Sequence, residues 1–197
     1  AGILSGRINP SGKLAMTFPY ATGQIPIYYA HKNTGRPASN ITLMDDIEIG
    51  AKQTSIGFTS YHLDAGDKPL FPFGYGLSYT TFQYSDVKLS SEKLKQGDKL
   101  IVTCNITNVG DYDASEVVQL YVCDRVASLI RPVRELKGFK KVFMKAGETH
   151  TVSFQLSSSD LAFWHDAKVK KAEAGEFLVW VSTDSQTGTP VRFLYEE

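Results

Sequence analysis

The sequence predicts a mainly β protein in two unequal parts, a β-sandwich over residues 81–197 preceded by a shorter, less regular body over residues 1–80. Three observations carry this expectation. The C-terminal part alternates apolar and polar side chains in seven short runs separated by turn residues, the pattern of a two-sheet sandwich. The N-terminal part offers only two or three such runs, too few for a freestanding core, and reads as the end of a larger domain. Between them lies Pro69-Leu70-Phe71-Pro72-Phe73-Gly74-Tyr75-Gly76-Leu77-Ser78-Tyr79. Its prolines remove two backbone donors and its glycines permit positive φ, so neither helix nor central strand suits it. Its rings are too apolar for a solvated loop. It is read as a buried seam.

In chain order, Asn9-Pro10-Ser11-Gly12 signals a turn, and residues 13–18 alternate well enough for a short strand closed by Pro19. Residues 23–26 open a loop. Residues 28–37 form a second loop rich in rings and hydrogen-bond donors. Residues 41–49 are acidic through Asp45, Asp46 and Glu48, a weak helical period covers 47–52, and 56–61 suit a strand. Beyond the seam, strands are expected at 82–89, 100–107, 116–123, 136–143, 149–156, 176–182 and 191–195. In the fifth, Val152, Phe154 and Leu156 point inward. Ser158-Ser159-Asp160 caps one helical turn carrying Leu161 and Phe163. Trp180 sits in a strongly apolar strand and reads as core. The Cys…Trp…Cys spacing of antibody domains is absent, which favours a fibronectin type III-like over a true immunoglobulin sandwich.

Composition excludes several function classes. The 21 basic and 21 acidic residues cancel, so no basic excess calls for a nucleic-acid or anionic-membrane partner. No apolar run approaches the roughly 20 residues of a membrane helix. Cys104 and Cys123 are too few for a disulfide framework, and read as two buried thiols or as one bridge between neighbouring strands. The four histidines have no metal spacing. Gly74-Tyr75-Gly76 lacks the third glycine and following helix of a nucleotide loop, so no cofactor is expected. The chain starts at Ala1 without an initiator Met, and is read as processed or as a fragment.

Asn9-Pro10-Ser11-Gly12-Lys13-Leu14, Thr17-Phe18-Pro19, Gly23-Gln24-Ile25-Pro26 and residues 31–37 (HKNTGRP) resemble the family 3 glycoside hydrolases, the β-glucosidase group. Residues 69–82 (PLFPFGYGLSYTTF) resemble that family's junction into its C-terminal domain. Residues 116–122, residues 131–139 (RPVRELKGF) and Gly175-Glu176-Phe177 resemble its fibronectin type III-like domain. The resemblance covers nearly the whole chain with its motifs in order.

It implies that residues 1–80 are the C-terminal remnant of an α/β sandwich domain plus linker, and residues 81–197 a fibronectin type III-like domain. It implies an intact retaining enzyme acting on a β-linked oligosaccharide or glucoside, with its nucleophile on an N-terminal barrel. Nothing here matches that nucleophile motif, so no catalytic residue is assigned and the chain alone is expected to be inactive. Its partners are then the missing barrel and sandwich domains, or a homodimer that covers the exposed N-terminal half. A periplasmic or secreted location follows from the same resemblance. The alternative is a stand-alone carbohydrate-binding or adhesion module, since fold alone does not choose function.

Candidate chemistry is sparse. Adjacent Asp45 and Asp46 diverge and cannot face one substrate, and Asp64 is expected to make a structural hydrogen bond. Tyr28, Tyr29, His31, Lys32 and Arg36 combine rings that stack on sugar faces with donors that hold hydroxyls, the makings of a substrate rim. The competing reading is that His31 and Arg36 fix this loop against the missing barrel.

Overall fold

The computed structural model describes residues 1–35, 37–38, 41–52, 61–165 and 168–197. Its strands are β1 (Phe82–Tyr84), β2 (Lys88–Leu89), β3 (Lys93–Lys95), β4 (Lys99–Asn108), β5 (Ala114–Asp124), β6 (Glu135–Met144), β7 (Thr149–Ser157), β8 (Phe163–Trp164), β9 (Lys170–Lys171), β10 (Gly175–Ser182) and β11 (Val191–Glu196), with one helical turn, α1, at Ser158–Leu161. In the first sheet β4 pairs with β7 on one edge, while β1 and β2 share the other. The second sheet has the order β3-β11-β10-β5-β6. All pairings are antiparallel except β3 against β11.

The expected strand over 82–89 is therefore broken, and its continuation changes sheets. Side-chain hydroxyls cause this by competing with the ladder. The Ser85 hydroxyl takes the Asn105 N–H at 2.9 Å, and the Ser90 and Ser91 hydroxyls take the N–H groups of Ile101 and Lys93, both at 3.0 Å. After the last of these, Leu94 is free to join the opposite sheet. The helical turn is capped as expected, one residue early: the Ser157 N–H and hydroxyl both donate to Asp160 Oδ2, at 2.8 and 2.7 Å. Both cysteines are free thiols, Cys104 buried and Cys123 half-buried, and burial pushes both thiols up.

The core lies wholly between the sheets. Leu100, Val102, Cys104 and Ile106 of β4, with Val152, Phe154 and Leu156 of the adjoining β7, face Val118, Leu120 and Val122 of β5 and Phe177, Val179 and Val181 of β10. Trp180 falls out of that alternation. It is buried, but on the outward face of β10, under the Arg134 guanidinium 4.3 Å from its ring. Trp180 is thus buried as expected, on the face covered from outside rather than between the sheets.

The described part of residues 1–80 adds nothing to this core. Their buried side chains among the described residues are the polar Thr17 and Gln24. The strand expected at 13–18 does not form, although its backbone does run beside the seam. Leu14 N–H donates to the Tyr75 carbonyl and Gly74 N–H returns to the Leu14 carbonyl, both at 2.8 Å, and Phe18 N–H donates to the Phe71 carbonyl at 2.9 Å. Pro69 and Pro72 withhold the donors that would join these contacts into a ladder. No helix covers 47–52; a single 3-10 turn stands at Met44–Asp46 instead. The strand expected at 56–61 falls mostly outside the described residues.

Candidate functional site

The seam lies across the outward face of β5. Five consecutive residues, Val118 to Val122, are buried there, which an alternating strand shows only when both faces are covered. The Gln119 amide explains how. Its Nε2 donates to the Gly74 carbonyl at 3.2 Å and to the Thr183 carbonyl, while its Oε1 accepts the Tyr121 hydroxyl. Gly74 has φ +81°, and a Cβ there would overlap the Gln119 amide. Phe73 hands its carbonyl to the Ser185 N–H at 2.9 Å.

Beside the seam, Lys13 Nζ sits 3.0 Å from Glu116 Oε1 and 2.6 Å from the Thr183 hydroxyl. The same carboxylate oxygen accepts the hydroxyls of Tyr84 at 2.8 Å and Thr183 at 2.7 Å. A charge so dry is tolerated only when paired and fully hydrogen-bonded. Burial first, then the Glu116 charge, drive the Tyr84 phenol well above its usual range.

The candidate rim is only partly assembled. Tyr29 is half-buried and committed to packing, stacked on Phe73 with centroids 4.2 Å apart and edge-on to Tyr121 at 6.1 Å. Tyr28 is 56% exposed. Tyr28, Tyr29 and His31 line a cleft with Thr17, Asp67 and Ser185 whose volume is about 70 Å³, against the ~300 Å³ and more of ordinary ligand pockets. A sugar ring would need a further wall. The Lys32 side chain stands outside the cleft. Backbone contacts tie this stretch to the β5–β6 loop, through Val133 N–H to the His31 carbonyl at 2.9 Å and a bridge between Lys32 and Pro132. Arg36 lies outside the described residues.

The acidic candidates stay apart. Asp45 and Asp46 are exposed on their 3-10 turn. Asp64 is exposed in the turn closed by the Gly66 N–H on the His62 carbonyl, and among the described residues it has no side-chain hydrogen bond of the kind expected of it. Among the described residues no group of three or more His, Cys, Asp or Glu could hold a metal ion.

One polar cluster escaped the sequence reading. In the β5–β6 loop Arg131 pairs with Glu135 and lies 4.3 Å over the Phe163 ring. Lys137 also pairs with Glu135, and His165 sits 3.2 Å from Glu173. Burial pushes the nearby Asp124 carboxyl up to about 6 against the pull of the Val126 N–H and Arg131, and its Oδ2 is buried without a partner among the described residues. Single charges within the RPVRELKGF run were the only signal available.

A sandwich whose outer face is covered by an irregular N-terminal arm is the arrangement found at the C-terminal end of a class of glycoside hydrolases. Residues 1–79 match the glycosyl hydrolase family 3 C-terminal domain, and residues 116–185 match the fibronectin type III-like domain. The chain is 43% identical over 185 residues to a periplasmic β-glucosidase of Salmonella typhimurium, covering 94% of this chain and 23% of the relative. It is 38% identical to a putative β-xylosidase of Formosa agariphila, covering 94% and 22%. The solved β-glucosidase of Listeria innocua in complex with isofagomine superposes with TM-score 0.86 at 39% identity, over 99% of this chain and 26% of that one. The chain belongs to the family 3 glycoside hydrolases and corresponds to their C-terminal portion. It spans about a quarter of the length of the proteins it matches.

Proposed function

We propose that this chain serves a retaining β-glucosidase-like hydrolase as a structural, stabilising portion, and that the longer polypeptide removes terminal β-linked glucose or a similar sugar. The observation that carries this is the single continuous match to a β-glucosidase over 94% of the chain, arm and sandwich together. A stand-alone binding module has no use for a coreless arm locked down by a buried Lys13–Glu116 pair. Retention needs two carboxylates about 5 Å apart, one attacking the anomeric carbon and one protonating the leaving oxygen. The reading assigns both to other parts of the polypeptide. Residues 1–80 are then the end of its α/β sandwich domain, residues 81–197 its fibronectin type III-like domain, and Tyr28, His31 and Lys32 a rim facing a neighbouring domain.

The apolar side chains that residues 1–80 leave exposed, among them Leu4, Met16, Ile49 and Leu77, support packing on such a domain, or on a second copy when it is absent. A periplasmic or secreted location follows the Salmonella relative. The test is hydrolysis of p-nitrophenyl β-glucoside and β-xyloside by the longer polypeptide and by this chain. Turnover by the former and none by the latter is expected. Turnover by this chain that is lost on mutating it overturns the reading.

A further inference from the structure

A second and much larger cleft, of about 380 Å³, opens where the N-terminal segment meets the turn between β4 and β5. It is lined by Gly6, Arg7, Asn9, Tyr79, Tyr112 and Asp113. Its walls are fixed in advance. Asn9 Oδ1 accepts the Ser78 hydroxyl and the Tyr79 N–H, both at 2.9 Å, and Asn9 Nδ2 donates to the Asp113 carbonyl at 3.3 Å. The Tyr79 hydroxyl donates to the Ile3 carbonyl at 2.8 Å, which pins the ring yet leaves the residue 48% exposed. Asp113 Oδ1 is held by the Ala146 N–H at 2.9 Å, and the Tyr112 carbonyl by Asn108 Nδ2 at 2.8 Å.

Several groups keep their capacity. The Arg7 Nη donors, the Tyr112 hydroxyl and Asp113 Oδ2 have no partner among the described residues, and Tyr112 is 61% exposed. Two amphipathic rings beside a cationic donor and an anionic acceptor, in a cleft within the ordinary size range for ligands, suit a molecule with apolar faces and many hydroxyls. Arg7 alone would favour an anion, but the Asp113 carboxylate in the same cleft repels one.

We propose that this cleft binds a neutral β-linked glucan chain, with its pyranose faces against Tyr79 and Tyr112 and its hydroxyls on Arg7 and Asp113. The choice of sugar rests on the hydrolase reading above. The experiment is titration of the 197-residue chain with laminaritetraose and cellotetraose, followed by calorimetry and by amide chemical shifts. Saturable binding with a Kd on the order of 1 mM or tighter is expected. Tyr112→Ala should weaken it about tenfold and Arg7→Ala several-fold, with Val126→Ala, exposed and outside both clefts, as the unaffected control. Tyr112 and Arg7 are exposed, so unchanged melting of the variants separates lost binding from lost folding. Absence of saturable binding, or binding untouched by both Tyr112→Ala and Arg7→Ala, overturns the proposal. Turnover of aryl β-glucosides by the longer polypeptide is read separately: turnover without binding here refutes the cleft alone, and binding here without turnover refutes the hydrolase reading alone.

Discussion

Lys13 and Glu116 form an ion pair across 103 residues of chain, with side chains only 12% and 6% exposed. It joins an arm without a core to the sheet that carries most of the core, and one carboxylate oxygen serves three donors.

Removing Lys13 alone leaves that carboxylate dry and uncompensated. Lys13→Met should therefore lose about 3 kcal/mol in urea unfolding. The double variant Lys13→Met/Glu116→Gln should lose less than the sum of the single changes, with a coupling of at least about 1 kcal/mol. Additive losses would contradict the pairing.

Gly74 is the tightest point of the seam. Gly74→Ala adds a methyl at a positive φ and into the Gln119 amide, and should cost roughly 1–3 kcal/mol. Tyr29→Ala, which deletes the ring stacked on Phe73, should cost about 2 kcal/mol. Both should speed thermolysin cleavage within residues 1–80 before the sandwich is attacked. Cleavage that begins equally early in the sandwich would rule out a locally loosened arm.

Asp124 gives a pH signature. Its carboxyl is raised by burial to about 6, so between the unfolded value and about 6 the folded state holds more protons, and this group's contribution to stability falls as pH rises. The shift corresponds to at most about 3 kcal/mol, and solvent at the half-buried group cuts that to about 1. Asp124→Asn should thus stabilise the chain by about 1 kcal/mol at pH 8 and by nothing near pH 3.5. Denaturation midpoints of the two proteins across pH decide it, and parallel curves would show that the carboxylate carries no penalty.

Tyr84 and Tyr121 should keep their protons when other phenols ionise, since burial raises both. Ultraviolet titration above pH 10 should show native absorbance short of the value for ten tyrosines, with the rest appearing only on unfolding. The full change in the folded protein would count against both placements.

Alternation made the sandwich readable. Val152, Phe154 and Leu156 face inward because a half-buried strand has no other way to segregate its surfaces. β3 was invisible because Lys93-Leu94-Lys95 holds a single apolar residue, and its sheet change depends on serine hydroxyls that read as ordinary turn residues. Trp180 is buried as its apolar run suggested, but such a run hides which face is inward once the outer face is covered as well. In the candidate rim, Tyr28 and Tyr29 are neighbours whose side chains diverge, so only one was free to face solvent. Sequence could not say which, because the choice is made by Phe73, more than forty positions away.

The covering of β5 on both sides sets a boundary for anyone who would transplant the sandwich by itself. A domain cut at residue 81 would leave the Tyr121 ring wet, the Gln119 amide without its Gly74 acceptor, and Glu116 ionised against the core with no cation. The smallest portable module therefore carries its arm with it, or has these three positions redesigned together.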